Sequence, residues 1–483
     1  MRHHLQINPR DNVAVMLDDS SPEVPRGHKF ALRDIKAGEE VVKYGMPIGR
    51  AAGDIRRGEH VHVHNLKTSL DGILEYRYAP SGGCGAAGPP PSPQVPSFQG
   101  YLRRNGQAGI RNDLFIIPTV GCANSVCTAL ANRLNRLLPE DFPGHAIALT
   151  HPCGCSQLGD DHETTRSILC GLAHSPNAGA VLIVGLGCEN NTLDAFREKL
   201  GDFDPERMRF MVAQHEDDEI AAGMRLLSSL VEVVKADCRC AVPIEKLVVG
   251  LKCGGSDGLS GLTANPLAGQ FSDWLVASGG STILSEVPEM FGAETLLMAR
   301  CRNRGVFDKC VKMVNDFKAY FTRHGQAIYE NPSPGNKAGG ISTLEDKSLG
   351  CVQKAGSSCV EDVLEIGGHV HCRGLNLLTG PGNDMVASTL LAASGAQLIL
   401  FTTGRGTPFG TVVPTMKIAS NSALAEHKRG WIDFDAGRLL EEDPEAIRQE
   451  FIAEVLAVAN GSQTANERNG DEQIAIFKDG VTL

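Results

Sequence analysis

The sequence predicts an α/β protein in three parts: a small all-β head, a linker, and a large body of parallel βα units. Three observations predict it. Short period-two runs fill the first part, a stretch dense in proline and glycine follows, and the remainder alternates apolar strands, glycine-rich turns and helices.

In the head, NVAVMLDD, HKFALRDI, EEVVKYG, GRAAGDI and HVHVHNLK are short alternating runs separated by Gly, Pro and charged turns. That is the pattern of a compact β module over 1–78. Residues 81–97, SGGCGAAGPPPSPQVPS, hold five prolines and four glycines. No regular element survives that density, so 79–99 reads as a linker between independently folded parts. Beyond it DLFIIPTV, HAIALT, GAVLIVGL and RMRFMVA each run into a turn and a helix, which gives one α/β unit over 100–241. A second series over 242–483 begins with KLVVGLK and continues through STILSEV, LNLLT, AQLILFTTG and VVPTMKIA. Strands this apolar are expected in parallel sheets with helices on both faces.

Length and composition narrow the function classes. A chain of 483 residues with 42% hydrophobic and 21% charged residues is ordinary globular material. Mean hydropathy is −0.12, and no uncharged apolar run approaches the ~18 residues that cross a bilayer. The first residues contain no apolar leader, so the expected location is the cytoplasm. Fifteen cysteines there are expected as thiols or metal ligands rather than as a disulfide framework. A net charge of −11 argues against nucleic acid and anionic membrane as partners. Aromatic residues make up only 5%, which argues against base- or sugar-stacking platforms.

Ligands of open parallel sheets bind at the carboxyl ends of the strands. Cys122 follows one predicted strand, Cys153 and Cys155 the next, Cys188 and Glu189 a third, and Cys253 the first strand of the second series. Thiolates on converging loops suit a metal ion or an iron–sulfur cluster; small thiols packed beside tight turns are the plainer alternative. In the head, His60, His62 and His64 alternate on a predicted strand and so face one way, with His28 on another run. Such a row suits a divalent ion or proton transfer, or else a polar face at a domain contact.

The second series is richest in polar loops. CGGSDGLSG sets Cys253, Ser256 and Asp257 on a turn entering a helix at Asn265, whose free N–H groups suit a carboxylate. Glu286 and Glu289 fit one base and one metal ligand, or two helix-capping carboxylates. Asn331, Asn336 and Lys337 lie on a Pro/Gly-shaped loop, with Glu345, Asp346 and Lys347 beyond it. Arg405 emerges at a strand end between two glycines, placed to grip a carboxylate bidentately or to form a surface ion pair. None of these loops is a P-loop, a GxGxxG turn, an HExxH helix or a GxSxG elbow.

In this order, GHKFALRDI, KYGMPIG, GEHVHVHN, HPCGCSQLGDDH, GLGCENN, CGGSDGLSGLTANP, SEVPEMFGAE, NPSPGNKAGG and TTGRGTP resemble the altronate/galactarate dehydratase family. The likeness runs through to the closing AIFKDGVTL. It implies a head of SAF type with a β-clip fold, a middle domain that forms a homodimer, and a Rossmann-like catalytic domain. It also implies a hydro-lyase dependent on Fe(2+) or Mn(2+), taking D-altronate to 2-dehydro-3-deoxy-D-gluconate and water in hexuronate breakdown. GEHVHVHN and the length favour the altronate branch; galactarate, the alternative, would need a further cation such as Lys417 or Arg111 for its second carboxylate. On this reading His28, His62 and Lys337 are candidate acid/base groups, and Ser256, Asn265, Asn336 and Arg405 candidate substrate contacts. Cys253, Asp257 and Glu286, with Cys122, Cys155 and Cys188, are candidate metal ligands. An iron–sulfur cluster on Cys122, Cys155 and Cys188 is the alternative cofactor. A sugar-acid-binding protein without turnover is the alternative outside enzymology.

Overall fold

The computed structural model describes residues 3–80 and 96–482. Most of the stretch read as linker, 81–95, lies outside the described residues. The head contains β1 (His4–Leu5), β2 (Val13–Met16), β3 (Lys29–Ala31), β4 (Glu40–Lys43), β5 (Met46–Ala51), β6 (His60–Val61) and β7 (Leu66–Lys67). They form two sheets, ordered β1-β2-β3-β6 and β4-β5-β7, with every pairing antiparallel.

The middle part opens with β8 (Ser97–Leu102) and β9 (Ala108–Gly109). β8 starts inside the stretch read as linker, because Phe98 and Tyr101 are buried where it pairs. Then come β10 (Asp113–Pro118), α1 (Asn124–Asn135), β11 (Ala146–Ala148), α2 (Gly159–Ala173), β12 (Ala178–Gly185), α3 (Leu193–Leu200), β13 (Met208–Val212) and α4 (Glu219–Lys235). The sheet β11-β10-β12-β13 is wholly parallel, as strands buried on both faces and linked by helices dictate. β14 (Cys240–Pro243) pairs with β8 at the passage to the last part.

The last part runs β15 (Val248–Cys253), α5 (Ala264–Ala277), β16 (Ser281–Leu284), α6 (Glu294–Met298), α7 (Arg304–Arg323), α8 (Pro334–Ala338) and α9 (Leu344–Cys351). It continues with β17 (Val360–Leu364), β18 (Gly374–Leu378), α10 (Asp384–Ala393), β19 (Leu398–Thr403), β20 (Thr415–Ala419), α11 (Ser422–His427), β21 (Phe434–Asp435), α12 (Pro444–Ala459) and α13 (Ala465–Asn469). Its parallel sheet is ordered β17-β18-β16-β15-β19-β20-β21. The chain grows to one side of β15 first and later to the other, so the topological switch point lies between β15 and β19. A crevice at the carboxyl ends of those two strands is the position such folds use for ligands.

The head is not an independent bead. Its Val13, Ile35, Val41, Ile48 and Val61 share one apolar cluster with Leu251, Phe271, Leu344 and Leu349 of the last part. Two small sheets in fewer than a hundred residues bury little by themselves, and the body supplies the missing core. The middle part docks through α2 on α10, where Leu169 and Leu172 join Leu390 and Leu391. No helix among the described residues is long and apolar enough to cross a membrane.

Candidate active site at the seam between head and body

The head sits on the loop that leaves β15 at the switch point. Glycines permit the approach: a Cβ at Gly258 would stand 1.8 Å from the Gly27 carbonyl oxygen, and one at Gly340 would stand 2.5 Å from it. Gly258 N–H donates to the Gly339 carbonyl at 2.7 Å, which ties the β15 loop to the segment after α8. On the other flank, Gly404 and Arg405 N–H groups donate to the Gly255 carbonyl at 2.8 and 3.0 Å. The crevice is therefore walled by the β15 loop, the β19 loop, α8–α9 and the head.

The head contributes a histidine group to this crevice. His60 pairs with Phe30 across β6 and β3, which brings it beside His28 at the start of β3. The two rings are joined by a 3.0 Å hydrogen bond between His28 Nδ1 and His60 Nε2. Strand β6 ends at Val61, so the long alternating strand expected through His64 does not form. The Asn65 side chain breaks it, accepting from His62 N–H at 2.9 Å and donating to the His60 carbonyl at 3.0 Å. His62 still stacks on His60, with ring centroids 5.4 Å apart, and its Nδ1 meets Ser342 Oγ at 2.8 Å. His28, His60 and His62 each offer a ring nitrogen within 4.8 Å of the others. Burial pushes the His28 imidazole below its usual value, and pushes His60 and His62 down to about 4 with help from neighbouring cations and rings.

Beneath the histidines lies a buried charge triad that spans both parts. Lys29 Nζ donates to Ser342 Oγ, to the Gly340 carbonyl and to Asp346 Oδ2 at 2.8 Å; Lys43 Nζ donates to Asp346 Oδ1 at 2.9 Å. Burial works to raise the Asp346 carboxyl, yet the two ammoniums hold it well below the usual range. The two lysines share it unequally. Burial brings Lys29 down to about 8 against the pull of Asp346, whereas Asp346 carries Lys43 above its ordinary value despite burial. Lys43, Tyr44, Ser256, Asp257, Asn265 and Lys347 line a narrow cleft beside this triad.

A second polar group lies deeper. Cys253 Sγ and Cys351 Sγ both donate to Glu289 Oε2, at 2.9 and 3.2 Å, and are 3.4 Å apart. Lys347 Nζ donates to Glu289 Oε1 at 2.6 Å. Burial would raise Glu289, but Lys347, Lys252 and Lys354 hold it low. Hydrogen bonding to Cys351 and burial push the Cys253 thiol well up.

Each residue singled out from sequence now has a place. His28 and His62 reach the seam. Lys337, half-buried on α8, adjoins Ala338, whose carbonyl accepts from His28 Nε2 at 3.3 Å. Arg405 is exposed, with its Cβ and Cγ packed over the Gly255 position. Ser256 is buried along the cleft. Asn265 and Asn336 have structural work instead: Asn265 bridges the Gly350 carbonyl and Thr402 Oγ1, and Asn336 donates to the Ser256 carbonyl while closing the capping box of α8.

The metal-ligand expectations for Asp257 and Glu286 need correction. The Asp257 carboxylate accepts from Leu259 and Ser260 N–H, from the Ser260 and Ser420 hydroxyls and from Asn421 Nδ2, so it fixes the turn and has little capacity left for an ion. Glu286 has left-handed backbone just beyond β16, and its oxygens accept from Lys252 Nζ at 2.5 Å and Cys253 N–H at 2.9 Å. Glu289, one turn on, is the carboxylate that meets Cys253. Cys122, Cys155 and Cys188 lie exposed in the middle part, apart from both convergent groups found among the described residues. Arg111 is engaged with Glu467 through two contacts, which removes it as the cation for a second substrate carboxylate. Lys417 is fully buried under Phe401 with its Nζ unbonded. Cys359 carries a disulfide bond, against the expectation that the cysteines are thiols or metal ligands.

Sequence reasoning passed over Cys351, Ser342 and the pairing of Lys29 and Lys43 with Asp346. Cys351 carried a usable signal, because it lies four residues after Lys347 on one helix face. The charge triad carried none, since Lys29 and Asp346 are 317 residues apart.

Family models agree with this architecture along its length. The SAF domain of altronate/galactarate dehydratases matches residues 19–69, the second domain of D-galactarate dehydratase/altronate hydrolase matches 100–235, and the C-terminal domain of D-galactarate/altronate dehydratase matches 244–482. The chain is 52% identical to the altronate dehydratase of Escherichia coli over 99% of this chain and 100% of that one. It is 51% identical to the altronate dehydratase of Bacillus subtilis over 100% of both chains. The galactarate dehydratase (L-threo-forming) of Escherichia coli is 30% identical over 98% of this chain and 96% of its own. With the three domain models in order and these identities over full length, the chain belongs to the altronate/galactarate dehydratase family of hydro-lyases.

Proposed function

We propose that this chain dehydrates D-altronate to 2-dehydro-3-deoxy-D-gluconate and water, as a cytoplasmic homodimer serving hexuronate breakdown. The carrying observation is the convergence of His28, His60 and His62 above the switch-point crevice, in a chain about half identical to two altronate dehydratases over full length. The relative that acts on galactarate is much more distant, and the engaged Arg111 favours a substrate with one carboxylate.

The histidine group fits an Fe(2+) or Mn(2+) ion: three neutral imidazoles converge, and Ser342 fixes the orientation of one ring as second partners do in metal sites. When bound there, such an ion supplies Lewis acidity for the substrate carboxylate and the charge that develops beside it. The chain's own residues do the rest. Arg405, exposed over the Gly255 turn, grips the carboxylate and orients C2 toward α8. Lys337, on α8, is the base that takes the C2 proton on Nζ. The resulting ammonium returns that proton to the C3 hydroxyl, which leaves as water, and the enol product tautomerises to the 2-keto acid. The head closes the crevice and keeps bulk water from the reacting carbons.

The test is an anaerobic assay of chelator-stripped protein with D-altronate, D-galactarate or D-mannonate, with Fe(II), Mn(II), Mg(II) or no metal added back. The expected result is 2-keto-3-deoxy acid from altronate alone, restored by iron or manganese. Turnover of galactarate in preference, or no product with any acid and metal, overturns the reading.

A further inference from the structure

The carboxyl edge of the middle sheet carries a feature that the seam does not use. Three successive strands, β10, β11 and β12, are each followed by a loop that carries a Gly-Cys pair: Gly121–Cys122, Gly154–Cys155 and Gly187–Cys188. In every pair the glycine is where another loop presses in. A Cβ at Gly121 would stand 2.8 Å from the His151 carbonyl oxygen, one at Gly154 would stand 2.1 Å from that of Thr119, and one at Gly187 would stand 2.8 Å from Gln214 Oε1. Gly154 and the neighbouring Ser156 both adopt positive φ, which bends the middle loop across its neighbours.

Hydrogen bonds then fasten the loops together. Gly121 N–H donates to the Cys153 carbonyl at 2.8 Å, and Asn191 N–H to the Gly154 carbonyl at 3.0 Å. Ser156 N–H donates to Asn190 Oδ1 at 2.9 Å, and Asn191 Nδ2 to the Thr119 carbonyl at 3.0 Å. Each thiol is thus within a few residues of a bond joining its loop to another. Glu189, beside Cys188, turns inward and is fully engaged by Thr119 Oγ1 and two backbone N–H groups.

The thiols are sorted by environment. Cys127, Cys153 and Cys170 on the same domain are buried in its apolar clusters, and burial pushes all three upward. Cys122, Cys155 and Cys188 are exposed, against the strong tendency of free cysteine to be buried. They are not among the groups whose donor atoms converge within 4.8 Å, so a single ion does not suit them. A multi-iron cluster spreads its thiolates more widely than one ion does.

We infer that Cys122, Cys155 and Cys188 hold an iron–sulfur cluster of the cubane class, with one iron left without a protein ligand. That iron is open to an oxygen donor, the hydroxyl or carboxylate of a small hydroxy acid or water. On assembly the three thiols lose their protons to solvent, while two ferrous ions, two ferric ions and four sulfides supply the cluster, so no electron is gained or lost. The inference does not rest on altronate turnover, and its readout is separate from it.

The experiment uses the full chain, purified anaerobically and reconstituted with equal amounts of Fe(II) and Fe(III) and with sulfide, then desalted. The expected result is about four iron and four acid-labile sulfides per chain, with a broad absorption toward the blue end of the visible that fades in air. Cys122→Ser, Cys155→Ser and Cys188→Ser should each remove most of that absorption while leaving the circular dichroism unchanged. Cys238→Ser, at an exposed thiol elsewhere, should keep it. A folded chain that takes up iron without labile sulfide, or a chromophore indifferent to all three substitutions, overturns the inference.

Discussion

The head–body seam and the cysteine edge of the middle sheet both offer metal-type donors at the carboxyl ends of parallel strands, but they are built by opposite means. At the seam the donors lie over fully buried charges, and Lys29, Lys43 and Asp346 lock two domains together through side chains. At the cysteine edge the thiols are exposed, and backbone and amide bonds between adjacent loops set their places. A buried charge must be paired to be tolerated, so the seam is intolerant of deletion; an exposed thiol has only to be positioned.

Removing the shared anion should break the seam most severely. Asp346→Ala leaves two buried ammoniums without their counter-charge and is expected to cost about 3–5 kcal/mol in denaturant unfolding, with turnover lost in step. The milder Asp346→Asn exposes the sign of the pH dependence. The Asp346 carboxyl sits below its unfolded value, so its stabilisation is complete above about pH 4 and disappears as pH falls through the lower folded value. The stability gap between wild type and Asp346→Asn should therefore narrow on acidification below that point, as read by unfolding curves at a series of pH values.

Smaller effects sharpen the contrast. Arg405→Ala touches an exposed side chain, so stability should stay within about 0.5 kcal/mol. Its KM for altronate should rise by about 10-fold or more, as expected when a bidentate carboxylate contact is lost. Cys155→Ser should change unfolding least of all, again within about 0.5 kcal/mol for metal-free protein. A loss of several kcal/mol there would mean that the thiol edge is packed as the seam is, and the comparison would fail.

Much of the fold was legible because it is local. Strand, Gly-turn and helix repeat along the body, and the cysteines and Arg405 fall at strand ends as the alternation requires. The histidines were found for a partly wrong reason: His60 and His62 share a face through a turn shaped by Asn65, and His28 joins them by strand pairing. Glu286 and Glu289 could not be told apart from spacing, since partners distant in sequence separate them: Glu286 binds Lys252 and the Cys253 N–H, and Glu289 receives the thiols of Cys253 and Cys351. The lock between Lys29, Lys43 and Asp346 was out of reach, because nothing local says that a head strand will end on a helix some three hundred residues later.

The central claim is that head histidines complete a metal site over the body's crevice. It is tested most directly by titrating chelator-stripped full-length protein with Mn(II), following the free ion by EPR, for wild type and His60→Ala. The account predicts one tight site per chain in wild type, its loss in the variant, and altronate turnover that tracks the bound ion. Unchanged Mn(II) binding and turnover in His60→Ala, with the fold intact, would contradict it.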